Sequence, residues 1–131
     1  QTTPHSPVGI AEANGQFDEK AAMIHPNRHV INNIIGMPDM WIEIGRSIQL
    51  ADLDTVILAS DGLWDNLYRD EVAELLGNRS LMECAKGILQ KATDRMKRES
   101  DSECGKPDDI SFILYRPHRG STCATVHLDV I

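Results

Sequence analysis

The clearest hydrophobic pattern in the chain is the run Thr55–Ala59, which ends abruptly in Ser60, Asp61 and Gly62. A short, β-branched apolar run bounded by turn residues is typical of a buried strand, so we predict a fully buried strand over 55–60. Gly62 permits a sharp turn after it. The pattern therefore predicts that Asp61 is held rigidly at the end of a strand, with its carboxylate directed outward.

Two further strands are predicted from apolar residues that alternate with polar ones. The first covers 43–50 and is broken near Gly45, and the last covers 110–116, directly after Asp108 and Asp109. Residues 124–130 alternate in the same way, so the tail could add an edge strand.

Two helices are predicted between these strands. A short one covers 71–76 and ends at Gly77. The longer one covers 80–97, carries its apolar residues on one face, and starts with Ser80 and Glu83 in the spacing of a capping box. Strands and helices in this order predict an α+β fold.

Two carboxylates lie where neighbouring strands would end and begin. Asp61 follows the strand at 55–60, and Asp108 precedes the strand at 110–116. Two strand ends of this kind can bring Asp61 and Asp108 together.

Length and charge limit the classes of function. A chain of 131 residues with 41% hydrophobic residues predicts one domain with a modest core. The net charge of -7 argues against nucleic-acid and anionic-membrane partners, since these are bound by clustered Lys and Arg, and it suits divalent cations.

Membrane spans, secretion signals and cysteine frameworks are not expected. No apolar run reaches the length of a membrane span, and the polar start lacks the layout of a signal peptide, so a cytoplasmic protein is expected. The three cysteines are odd in number and lack zinc-ligand spacing, which argues against zinc and against a disulfide framework.

Three stretches of the chain form a set of motifs: L-A-S-D-G-L-W-D-N, P-D-D-I-S-F-I-L and, upstream, A-M-I-H-P-N-R-H-V-I-N-N-I-I-G. The first two are similar to the last two motifs of the metal-dependent type 2C (PPM-type) serine/threonine protein phosphatases, and the third resembles the bacterial branch of that family. The resemblance covers the carboxyl-terminal half of the catalytic domain. It implies that residues 1–117 form about half of an αββα sandwich, two antiparallel sheets flanked by helices, and that 118–131 is a tail.

The resemblance also implies a reaction and a set of metal ligands. These enzymes hydrolyse phosphoserine and phosphothreonine in proteins with a water activated by two Mn or Mg ions, and Asp61 and Asp108 match two of the ligands. If these two residues share a metal, their carboxylates should lie within about 5 Å of each other, since each reaches the ion at ~2.0–2.6 Å. Gly62, Asp101 and Asp109 are candidates for further ligands or for positions beside the ligands. Asp65 is expected to be a turn residue. Because the amino-terminal half would supply the bridging Asp, we expect the 131 residues alone to bind metal weakly and to be inactive.

Residues 8–26 match the flap that covers the metal site and contacts the phosphoprotein in this family. Three residues where the chain re-enters the core could approach a phosphate, namely His25, Arg28 and His29, although they are more readily explained as structural or surface polar residues, since unpaired His and Arg commonly lie outside. Pro4 stands where bacterial relatives usually have an Asp that helps to bind a third metal, which makes a third metal doubtful.

Two other functions stay open. The chain could be a degenerate phosphatase module that binds a phosphoprotein or partner without turnover; the missing first-half ligands favour this, and the retained Asp61 and Asp108 oppose it. It could also be an unrelated acidic cation-binding domain, although its acids lack the spacing of an EF-hand.

The expected partners are a phosphorylated protein and either the amino-terminal half of the same domain or a second copy. A half-sandwich leaves strand edges and one apolar sheet face uncovered, and such surfaces favour association.

Overall fold

The computed structural model describes residues 1–97 and 105–117 in full, together with the backbone of two short strands near the end of the chain. In chain order the elements are α1 (Pro7–Ala13), α2 (Glu19–Met23), β1 (Glu43–Ile44), β2 (Ile48–Gln49), β3 (Val56–Ala59), α3 (Asp61–Trp64), α4 (Arg69–Leu76), α5 (Leu81–Met96), β4 (Phe112–Tyr115), β5 (Thr125–Val126) and β6 (Asp129–Val130). Helices and small antiparallel sheets together make an α+β fold. The chain divides into two compact units, Gln1–Gln49 with Thr125–Ile131, and Leu50–Ala124.

The first unit contains two short helices that start at side-chain caps. The Ser6 hydroxyl accepts a hydrogen bond from the Gly9 amide at 2.9 Å and begins α1. The Asp18 carboxylate accepts one from the Ala21 amide at 2.8 Å and begins α2. Both contacts satisfy amides that have no partner inside the helix.

The strands of the first unit are very short. The predicted strand at 43–50 is interrupted as expected near Gly45, which leaves β1 and β2 with two residues each. β1 pairs antiparallel with β6, and β2 pairs antiparallel with β5. The tail therefore contributes strands, as its alternating pattern predicted.

The second unit is built on an antiparallel pair of strands, β3 and β4, with Val56 opposite Tyr115 and Ala59 opposite Phe112. The helices cover one face of this pair. The buried core is Leu63, Leu67, Val72, Ile88 and Ala92, and the inner side chains of the strands that pack against it are Ile57, Ala59, Phe112 and Leu114.

The prediction of a fully buried strand at 55–60 is wrong in one respect. Leu58 is 59% exposed, and its cross-strand partner Ile113 is 66% exposed. Successive residues of a strand point to opposite faces, and the helices of this unit cover only one of them. A continuous apolar run therefore predicts a strand here, but it does not show that both faces of the strand are buried.

Helix α5 forms the layer over the sheet, as its apolar stripe predicted. The Ser80 hydroxyl accepts a hydrogen bond from the Glu83 amide at 3.3 Å, and a Glu83 carboxylate oxygen accepts one from the Ser80 amide at 3.1 Å, so the capping box is confirmed. Cys84 and Ile88 are buried on the inner face. Among the described helices, none combines the length and hydrophobicity needed to cross a membrane.

An ion-pair network joins α4 to α5. Glu71 accepts two hydrogen bonds of 2.7 Å from the Arg95 guanidinium, one of 2.9 Å from the Tyr68 amide and a contact of 2.9 Å from Lys91. Burial opposes ionisation of Glu71, but the hydrogen bonds from Arg95, Tyr68 and Lys91 lower its pKa from 4.5 to about 2. The pair is mostly enclosed, with 11% of the Arg95 side chain and 19% of the Glu71 side chain exposed.

We expect Glu71→Gln to lower the free energy of unfolding by about 1–3 kcal/mol at pH 7. This loss lies between those typical of breaking an exposed ion pair and a buried one. Because the folded-state pKa lies below the unfolded value, this stabilisation is present above pH 4.5 and is lost as the pH falls towards 2. Urea unfolding of both proteins should therefore give curves that converge at low pH. The exposed Glu74→Gln is the matched control and should change little; a Glu71→Gln effect that is the same at pH 7 and pH 2.5 would contradict the assignment.

Candidate metal centre

Helix α3 places two carboxylates on one side of a single turn. Asp61 is its first residue and Asp65 caps its end, with the Asp65 amide donating to the Asp61 carbonyl at 2.7 Å. Residues four apart on a helix lie on the same face. The Gly62 amide donates to a carboxylate oxygen of Asp61 at 3.0 Å, which fixes the orientation of that side chain.

The sheet continues past β3 and β4 through a pair of serines. The Ser60 amide donates to the Ser111 carbonyl at 2.9 Å, and the Ser111 amide donates to the Ser60 hydroxyl at 3.1 Å. That hydroxyl in turn donates to the Asp109 carbonyl at 3.3 Å. These contacts bring the start of α3 directly beside the segment that carries Asp108.

Gly62 is required by this close approach. A Cβ atom at Gly62 would overlap the main-chain oxygen of Asp109 and lie 3.5 Å from the Cβ of Asp108. The sharp turn expected at Gly62 is instead the first turn of α3. Glycine serves here because the backbones pass too close for a side chain.

The buried Asn66 holds the two segments together. Its amide nitrogen donates to the Gly62 carbonyl and to the Lys106 carbonyl, both at 2.8 Å, and its amide oxygen accepts from the Lys106 amide at 2.9 Å. The side chain is fully buried. Asn66 is part of the motif L-A-S-D-G-L-W-D-N, but nothing in that motif indicates that its side chain joins two distant segments.

The result is a cluster of three carboxylates, those of Asp61, Asp65 and Asp108, each offering one oxygen within 4.8 Å of the others. The expected proximity of Asp61 and Asp108 is thus observed. Oxygen ligands lie 2.0–2.6 Å from Mg²⁺ or Ca²⁺, so two ligands of one ion are at most ~4–5 Å apart. The cluster could therefore hold a divalent cation, and its exposed Asp61 and Asp108 leave it open to solvent.

Asp65 was expected to be only a turn residue, and that expectation is incomplete. It does end the turn of α3, but its carboxylate also belongs to the acidic cluster. The spacing of four between Asp61 and Asp65 was the signal that could have identified it.

Lys106 lies against this cluster. Its ammonium nitrogen is 3.0 Å from a carboxylate oxygen of Asp108 and 3.2 Å from one of Asp65. Asp108 and then Asp65 raise the pKa of Lys106. Lys106, followed by the amide of Asp109, lowers the pKa of Asp108. The sequence did not indicate this role, because the contacts of Lys106 depend on which segments meet in the fold.

The remaining predicted residues near the site contribute in different ways. Asp109 is exposed and holds the site through its main chain, whose carbonyl accepts from Ser60 and whose amide donates to Asp108 at 2.9 Å. Gly62 acts through its lack of a side chain. Asp101 lies outside the described residues.

The flap residues belong to the first compact unit. His25 stacks on Phe17, with ring centroids 5.7 Å apart, and its Nδ1 accepts from the Asn27 amide at 3.1 Å. Arg28 donates to the carbonyl of Met23, the last residue of α2. His29 is exposed. Within this unit, His25 and Arg28 thus make local structural contacts.

Comparisons with known proteins match the chain to parts of protein phosphatases. It is 33% identical over 98 residues to a protein named "Protein phosphatase PTC7 homolog fig" of Drosophila erecta, which covers 59% of the chain and 30% of that relative. It is 31% identical over 83 residues to a protein phosphatase 2C-type of Streptococcus pyogenes, covering 60% of the chain and 32% of the relative. It is 30% identical over 126 residues to protein phosphatase 1H of Mus musculus, covering 82% of the chain and 23% of the relative.

The chain thus spans about a third or less of the length of these curated relatives. No family model and no solved structure matches it. The similarities support a relationship to protein phosphatases over part of the length of those proteins, and one of the relatives is named as a 2C-type phosphatase. The three relatives come from an insect, a bacterium and a mammal.

We expect Asn66→Ala to lower the free energy of unfolding by about 2–4 kcal/mol, because it removes three hydrogen bonds that a fully buried side chain makes with the backbone groups of Gly62 and Lys106. Urea unfolding of the 131-residue chain measures this directly. The exposed Asn78→Ala is the matched control and should stay within about 0.5 kcal/mol of the wild type. Equal stability of the two variants would show that Asn66 does not hold the site together.

Proposed function

We propose that this chain is part of the catalytic domain of a metal-dependent type 2C protein phosphatase, which hydrolyses phosphoserine and phosphothreonine in proteins. Asp61 and Asp108 are the proposed ligands of Mn²⁺ or Mg²⁺. The proposal is carried by one observation: the carboxylates of two motifs that are distant in sequence converge within 4.8 Å, together with that of Asp65.

The donor set fits a hard divalent cation. All three side chains offer carboxylate oxygens, which Mg²⁺ and Mn²⁺ prefer over nitrogen and sulfur. When bound, such ions neutralise phosphate charge and lower the pKa of water, the two requirements for hydrolysis of a phosphate monoester at neutral pH. The chain's own contribution is to hold Asp61 and Asp108 rigidly through Gly62, Asn66 and the serine pair.

The resemblance supports a two-ion site in the complete domain, with further ligands supplied by the other half of that domain. The 131 residues alone would then bind metal weakly and have no activity. Residues 8–26 would contact the phosphoprotein, and His29 is the exposed candidate beside them for an approach to phosphate.

We further propose that β3 and β4 form part of an αββα sandwich, in which a second layer covers their outer face. Leu58 and Ile113 are directly opposite each other on this face, and both are more than half exposed. Tyr115, two residues further along β4, is 47% exposed. The second layer would come from the other half of the domain, or from a second copy when the 131-residue chain is alone.

In a polypeptide that carries the whole catalytic domain, Asp61→Asn or Asp108→Asn should reduce Mn²⁺-dependent hydrolysis of a phosphothreonine peptide by at least about 100-fold. Each removes a negatively charged oxygen ligand without changing the volume of the side chain, and losses of this size are typical when charge stabilisation is removed. The exposed Asp52→Asn is the matched control and should keep normal turnover. Normal turnover in both ligand variants would rule out the assignment, and phosphopeptide binding without turnover in the wild type would favour a non-catalytic module.

The 131-residue chain by itself should associate at micromolar concentration, because the exposed apolar face on β3 and β4 favours burial against another surface. Light scattering should report a dimer, and Leu58→Lys or Ile113→Lys should shift it towards monomer. Met82→Lys is the matched control, since Met82 is 65% exposed on α5, and it should leave the dimer unchanged. A monodisperse, cooperatively melting wild-type monomer would contradict the half-sandwich.

A further inference from the structure

We propose that Lys106 is a tethered cation that occupies part of the acidic cluster, and that a divalent ion must displace its ammonium group from Asp108 in order to bind. Lys106 would thereby set the metal affinity of the site. This inference rests on the proposed metal-binding function of Asp61 and Asp108, and it adds a means of regulation to that site.

The ammonium group contacts two of the carboxylates that an ion would need. It lies 3.0 Å from Asp108 and 3.2 Å from Asp65, two of the three carboxylates in the cluster. A divalent ion binds carboxylate oxygens at 2.0–2.6 Å. An ammonium group and a divalent ion on one carboxylate would be a few ångströms apart and would repel each other, so their binding is competitive.

The backbone of Lys106 is fixed while its side chain has room to move. Both the amide and the carbonyl of Lys106 are bound to the buried Asn66, at 2.9 Å and 2.8 Å. Pro107 follows and restricts the backbone of Lys106 further. The side chain is 41% exposed, so the ammonium group can leave the cluster without any change in the fold.

Lys106 is a cation at neutral pH, because the ordinary pKa of a lysine side chain lies far above 7. The cluster therefore combines one ammonium group with three carboxylates before any ion binds. When this lysine is replaced by a neutral residue, a diffusing cation meets the three carboxylates without the competing charge of Lys106.

A positioning role would have the opposite consequence for metal affinity. If Lys106 served to hold Asp65 and Asp108 in the geometry that an ion needs, its removal would weaken binding. If it competes with the ion, its removal strengthens binding. The direction of the change therefore separates the two roles.

The test is Mn²⁺ binding to the 131-residue chain, measured by the electron paramagnetic resonance signal of free Mn²⁺. Lys106→Met should bind Mn²⁺ about tenfold more tightly than the wild type, since each partly exposed ion pair that is lost changes an equilibrium about two- to fivefold. Lys106→Gln should show the same direction, and Lys106→Arg should stay close to the wild type. The matched control is Lys86→Met on α5, which removes the same charge from an exposed position and should change affinity less than twofold.

Unchanged or weaker binding in both Lys106→Met and Lys106→Gln, with binding still lost in Asp61→Asn, would overturn this inference and leave the metal site standing. Tight binding in Lys106→Arg would also overturn it. Mn²⁺ binding that persists in Asp61→Asn would overturn the metal site itself, and the inference with it. Urea unfolding of each variant shows that the comparison is made between folded proteins.

Discussion

The buried amide of Asn66 is the constraint on which the rest of the site depends. Helix α3 and the segment before β4 are about 40 residues apart in sequence, and the three hydrogen bonds of this side chain join them. Each bond pairs a backbone group of Gly62 or Lys106 with the fully buried amide of Asn66, and buried polar groups are costly to leave unsatisfied. Gly62 then allows the two backbones to approach closely.

At this site a rigid backbone holds carboxylates close enough together to repel one another. Three carboxylates within 4.8 Å repel one another. Among the described residues, the ammonium group of Lys106 contacts two of them and offsets part of this repulsion. The fold tolerates such a cluster because its stability comes from elsewhere in the same unit. Leu63 and Leu67, directly beside the acidic residues in sequence, are fully buried, and Glu71 with Arg95 joins α4 to α5.

The sequence allowed the main elements of the second unit to be predicted because their signals are local. The capping box of Ser80 and Glu83 marks the start of α5, and the β-branched run marks β3. The convergence of Asp61 and Asp108 followed from the expectation that their strands are neighbours. The predictions of α5 and β3 thus depend on short segments alone, and the convergence of the two carboxylates depends on a single strand pairing.

The contributions of Asp65, Asn66 and Lys106 could not be predicted in this way, because each depends on which segments meet in three dimensions. The exposure of Leu58 is a similar case. Its apolar character marks a strand, but only the position of the helices decides which face is covered. The roles that the resemblance assigns to the flap, 8–26, likewise depend on polypeptide and substrate beyond these residues.

The most direct test of the central claim is paramagnetic broadening of amide NMR signals during titration with Mn²⁺. If Asp61 and Asp108 form a metal site, the amide signals of residues 61–66 and 106–110 broaden first, at substoichiometric Mn²⁺. Asp61→Asn should abolish this selective effect. Broadening that spreads evenly over other exposed acids, such as Asp52, Asp70 and Glu74, would contradict a metal site formed by Asp61 and Asp108.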